Sequence, residues 1–91
     1  MIYRKEFQVI LRESQDILIL LRRAQNKHFI SPDTILERVN KITFLISEIQ
    51  QKRIDEILIP TEEEIRLIHR IISRIQTFHK EIEDLRHTFS S

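Results

Sequence analysis

His79, Glu83 and His87 are spaced four residues apart in turn. On a helix this spacing puts all three on one face, where two imidazoles and a carboxylate could hold zinc or a similar borderline metal. No fourth ligand is visible in the sequence, so an exposed helix face is the simpler expectation, with neither metal nor cofactor. His28 and His69 are single histidines on helix surfaces or edges. Glu62, Glu63 and Glu64 resemble a carboxylate cluster, but they follow Pro60 and Thr61, where acidic side chains cap a helix and oppose its dipole. Arg66, Arg70 and Arg74 form a row at four-residue spacing that could track a phosphate backbone. No aromatic residue interleaves with that row, and the segment from Thr61 onward holds five basic and six acidic residues. Serines and threonines are present, but no nucleophile motif surrounds them. With no cysteine and no glycine, the chain also lacks a thiolate and a glycine-rich phosphate loop. An enzyme is therefore not expected, and no small-molecule substrate is indicated.

Whatever the chain does must be done on long helices. Among 91 residues there is no glycine and there are only two prolines, Pro32 and Pro60, each placed where a helix would begin. They divide the chain into three segments of near-equal length. In the first, Tyr3, Phe7, Ile10, Ser14, Ile17, Leu21, Ala24 and His28 alternate spacings of four and three, which marks one helix face. Leu11 and Leu18 widen that face, and Arg22, Arg23 and Lys27 suit a helix C-terminus near His28. Ser31, Pro32 and Asp33 form an N-cap signal for the second helix, whose seam is Ile35, Val39, Ile42, Ile46 and Ile49. Beyond Gln50, Gln51, Lys52 and Arg53 the apolar pattern slips by a residue to Ile54, Ile57 and Leu58. That slip predicts either drift of a continuing helix or a local fray or bend. Pro60 should end this helix. Thr61 and Glu64 match a capping box, and Ile68, Ile71, Ile75, Phe78, Ile82, Leu85 and Phe89 carry the third seam, flanked by Ile65 and Ile72.

The reading is one all-α domain over 1–91, with helices near 3–28, 32–58 and 62–88, folded as an antiparallel up-down-up three-helix bundle. The alternative is a hairpin of the last two helices with the first docked elsewhere or swapped into a dimer. Asn26 is the natural candidate for a left-handed residue at the first helix end. A net charge of +1 gives no general pull toward nucleic acid or anionic membrane. The longest apolar run, Ile17 to Leu21, is far short of a membrane span, and the N-terminus does not read as a secretory signal. The expected location is cytoplasmic.

Apolar residues outside the seams are the candidate contact surface. Val9, Ile19 and Leu20 point away from the first seam, Phe44 does so on the second helix, and Leu67 lies at the edge of the third. A helix packed on two neighbours needs a wide apolar arc that would absorb Leu20, Leu45 and Leu67. Ile19 and Phe44 lie nearly opposite their seams and are the residues expected to meet a partner or a second copy.

Two stretches carry a family resemblance. Glu13, Ser14, Gln15, Asp16, Ile17 and Leu18, followed by Leu21, Arg22, Arg23 and Ala24, look like the first helix of the small helical flagellar export chaperones. Pro60 to Ile65, leading through Ile71, Ile75, Ile82, Asp84 and Leu85, resembles their later helix with its acidic cap. The two cover about a third of the chain. The resemblance implies a chaperone or adaptor that binds another protein's amphipathic helix, and no functional residue is transferred by position. Beside it stand a self-assembling homodimer and a small nucleic-acid-binding regulator, the latter using the first helix and the row Arg66, Arg70 and Arg74. Nucleic acid is the least favoured partner of the three.

Overall fold

The computed structural model describes residues 3–26 and 30–90, with the side chains of 89 and 90 outside the description. Three helices follow in order: α1 (Lys5–Gln25), α2 (Pro32–Ile54) and α3 (Glu62–Ser90). Cross-helix pairs set their directions. Glu13 meets Lys41 and Asp16 meets Arg38, so residue numbers fall along α2 as they rise along α1. Arg4 meets Glu64 and Ser14 meets Arg74, so α1 and α3 run parallel at a constant offset. Each helix touches the other two. The chain is the up-down-up three-helix bundle that its pattern predicts, 49 Å along its longest axis. At about 1.5 Å per residue, the 29 residues of α3 account for most of that length.

The seams become the core. Phe7, Ile10, Ser14, Ile17, Leu21 and Ala24 are the buried residues of α1, and Ile35, Val39, Ile42, Ile46 and Ile49 those of α2. On α3 the buried set is Glu64, Leu67, Ile68, Ile71, Phe78, Ile82 and Leu85, with Ile75 packed against it half-buried. Ser14 is tolerated at the centre because the Arg74 guanidinium donates to its hydroxyl at 3.4 Å.

Helix starts follow the sequence signals. Ser31 Oγ accepts from the Asp33 N–H at 3.3 Å, with Pro32 in the first turn. Thr61 and Glu64 form the reciprocal box: the Thr61 N–H donates to Glu64 Oε1 at 2.9 Å, and the Glu64 N–H to Thr61 Oγ1 at 3.2 Å.

Helix ends depart from expectation. α1 stops at Gln25, before His28, which lies outside the described residues. Its cap residue Asn26 has φ −92°, so it is not left-handed. α2 stops at Ile54, well short of Pro60 and of the expected end at 58. The cause is a Schellman turn in which the Ile57 N–H reaches Lys52 O at 2.9 Å and the Glu56 N–H reaches Arg53 O at 3.1 Å. The residue that closes such a turn adopts a left-handed conformation, usually as glycine. Here it is Glu56, at φ 59°, the only positive φ among the described residues. Of the two outcomes that the slip after Ile49 allows, the helix therefore ends rather than drifts on, and the helix expected over 32–58 is corrected to Pro32–Ile54. Ile54 and Ile57 project into solvent, and only Leu58 turns inward to close the base of the core.

Candidate partner-binding surface

The α1–α2 flank holds an apolar groove of about 240 Å³. Val9 and Leu45, both half-buried, and the buried Ile49 make its floor; Lys5 and Glu6 from α1 and Glu48 and Lys52 from α2 make its rim. The groove exists because a three-helix bundle leaves the flanks of each pair uncovered. Val9 and Leu45 lie one step outside the two seams, and the next residues outward are charged. Toward the other end the same flank closes on an ion-pair cluster. Glu13 accepts from Lys41 Nζ at 3.2 Å, while Arg38 lies 3.5 Å from Asp16 and 3.7 Å from Glu13. Glu13 Oε2 and Arg38 Nε, both shielded from solvent, face each other at that last distance, too long for a hydrogen bond but within ion-pairing range.

The predicted contact residues are dispersed. Val9 lines the groove. Leu20 is half-buried and packs on the core. Leu67 is fully buried among the core residues and offers no surface, because α3 packs on both other helices and turns its edge inward. Ile19 and Phe44 are exposed, at 46% and 61%. The register of the Glu13–Lys41 pair places them about nine residues apart along the bundle, roughly 13 Å, and each faces outward from its own helix. The structure does not bring them together.

A second apolar surface lies outside the groove. Ile54, Ile57 and Ile59, at 74%, 74% and 79% exposure, crowd the α2–α3 connection. In sequence Ile54 and Ile57 sit one residue off the α2 seam, where drift of a continuing helix would have made them core. The signal that could have found them is the slip after Ile49, which marks the helix end. A smaller pocket of about 100 Å³ between α2 and α3 has Ile49, Pro60, Ile65, Ile68 and Ile72 in its lining, with Arg53 and His69 beside them.

At the same end of the bundle a cleft of about 590 Å³ is lined by Tyr3, Arg4, Ile59, Thr61 and the acidic triplet. Two of its three carboxylates are engaged. Glu62 pairs with Arg66 at 3.4 Å, and Glu64, only 3% exposed, is clasped by Arg4. The Arg4 Nε and backbone N–H donate to Glu64 Oε2 at 3.1 and 3.2 Å, and Arg4 Nη2 also reaches Ile59 O at 2.9 Å. The Arg4 guanidinium lies 5.6 Å from the Phe7 ring centre. These Arg4 donors, helped by the Thr61 N–H and opposed by burial, hold the Glu64 carboxyl down at about 2. The same contact raises Arg4. The arrangement is a structural clasp between α1 and α3, with the carboxylate committed to it.

The arginine row is partly diverted. Arg66 serves Glu62, Arg74 serves Ser14, and Arg70 is exposed between them. His79, Glu83 and His87 are all exposed, and Glu83 accepts from Arg86 at 3.4 Å. Among the described residues no group of three or more His, Cys, Asp or Glu side chains is placed to hold a metal ion. Among the described residues no helix is long and apolar enough to cross a membrane. No family model, curated protein or solved structure matches the chain.

Proposed function

We propose that this chain is a non-enzymatic protein–protein interaction module, a chaperone or adaptor that receives the apolar face of a partner's amphipathic helix between α1 and α2. The observation that carries the reading is the composition of that groove: Val9, Leu45 and Ile49 below, with charges of both signs on each edge. Helix-in-groove recognition needs an apolar floor for anchors spaced three and four residues apart. The mixed rim of Lys5, Glu6, Glu48 and Lys52 would set the partner's direction more than its affinity. At about 240 Å³ the groove is smaller than the ~300–1,000 Å³ of most small-molecule pockets, which favours side chains as its occupants.

The test begins with a partner recovered by affinity capture and its amphipathic segment made as a peptide. Leu45→Glu should weaken the peptide at least tenfold, while Ile19→Glu on the outward face leaves it unchanged, with melting curves confirming that both variants fold. Equal affinity for wild type and Leu45→Glu would sink the proposal.

A further inference from the structure

The α2–α3 connection combines two features that a closed monomer leaves unrelieved. One is Glu56 in the left-handed region, where a side chain crowds its own carbonyl and the arrangement is disfavoured by about fivefold or more. The other is the exposed set Ile54, Ile57 and Ile59, which nothing in the chain's described residues covers. From these we infer that the connection is a hinge for exchange, and that the occupant of the isoleucine surface is a second copy of this chain with which it swaps α3.

Three observations select a second copy. First, the area is wrong for rigid docking. Three isoleucine side chains fall well short of the ~800 Å² per partner that a stable interface buries. An exchanged α3 needs no new core, because Leu67, Ile68, Ile71, Phe78, Ile82 and Leu85 rebuild the same contacts against the other copy's α1 and α2. The dimer's gain comes from relief of two strained turns and from the isoleucine contact. Second, the hinge needs little rearrangement. Ile59 precedes Pro60 and is confined to extended conformations, so that part of the connection is already straight. Chain reversal depends on Glu56, and returning it to an ordinary negative φ opens the turn. Third, the charges match. If two open hinges cross antiparallel about Ile57, the middle isoleucine, Lys52 of one copy lies level with Glu62 of the other, and the two Ile57 side chains meet at the crossing. The contact between Arg4 Nη2 and Ile59 O holds the turn in its closed form.

The experiment is sedimentation equilibrium on the full chain, refolded from denaturant at high concentration and then diluted in series, together with exchange between differently tagged copies. A swapped dimer predicts that Glu56→Gly, which makes the closed turn free of strain, raises the dimer Kd about 25-fold, about fivefold from each of two hinges. Ile57→Lys should weaken the dimer as well, and copies should exchange no faster than the bundle unfolds. Both substitutions lie at exposed positions, so folding is not at stake. A monomer at every concentration overturns the inference. So does a dimer whose Kd moves less than threefold in Glu56→Gly, or one whose copies exchange faster than unfolding, since either would be a contact between closed monomers.

Discussion

Removing the Glu64 carboxylate tests how the starts of α1 and α3 are joined. In Glu64→Ala the capping box is lost, which costs about 1 kcal/mol at a helix start. The charge-assisted bonds from Arg4 are lost too, typically about 1.5–3 kcal/mol for a group as buried as Glu64. Arg4 is 42% exposed and can be rehydrated, so the lower part of that range applies, giving about 2–3 kcal/mol in all. For a domain of this size the melting temperature should fall by roughly 10–20 °C. Glu64→Gln keeps an acceptor for the Thr61 N–H but not the charge, and should fall about half as far. The pH dependence separates the two contributions. The Glu64 carboxyl titrates at about 2 in the folded chain against an ordinary value of 4.5. Its stabilisation is therefore complete above pH 4.5 and is lost as pH falls toward 2. Urea titrations from pH 7 to pH 2 should show wild type and Glu64→Gln converging across that window. Parallel curves for the two proteins, or a Glu64→Ala variant within 0.5 kcal/mol of wild type at pH 7, would refute the clasp as a source of stability.

Other substitutions follow from the same geometry. Glu56→Gly removes the left-handed penalty but adds backbone freedom to the unfolded chain, so a net gain of about 0.5–1 kcal/mol in chemical denaturation is expected. Phe78→Ala empties the centre of the core and should cost about 3–5 kcal/mol, enough to leave circular dichroism showing a partly unfolded population. Ser31→Ala removes the cap on α2 and should cost about 1 kcal/mol by the same assay. Phe44→Asp, on an exposed outward face, should change stability by less than about 0.5 kcal/mol. Its effect on partner affinity and on association state reads out whether that face makes any contact.

The helical seams were legible because buried positions repeat at four and three, and every buried residue of α1 and α2 lies on the predicted faces. The caps at Ser31 and Thr61 were legible because they are local. What escaped depends on partners distant in sequence or on backbone conformation. Arg4 and Glu64 are 60 residues apart, and neither is unusual where it stands. The end of α2 is set by the dihedral angle of Glu56, in a chain with no glycine to advertise it, while Ile54 and Ile57, one residue off the seam, fit a drifting helix as well as a frayed one. Leu67 looked like a surface edge because a single helix does not disclose that two others will pack against it. The groove was half visible: Val9 stood out, whereas Leu45 read as part of a wide core arc.

The proposed binding of a partner helix in the α1–α2 groove can be read directly at the groove's rim. Because the chain has no cysteine, Glu48→Cys provides a single labelling site on the groove rim, and Thr77→Cys an equivalent site on exposed α3 surface. With a photo-crosslinker on each, the Glu48→Cys protein should join covalently to an apolar face of a helical partner, and Leu45→Glu should abolish the adduct. Adducts formed equally from both sites, or unaffected by Leu45→Glu, would contradict it.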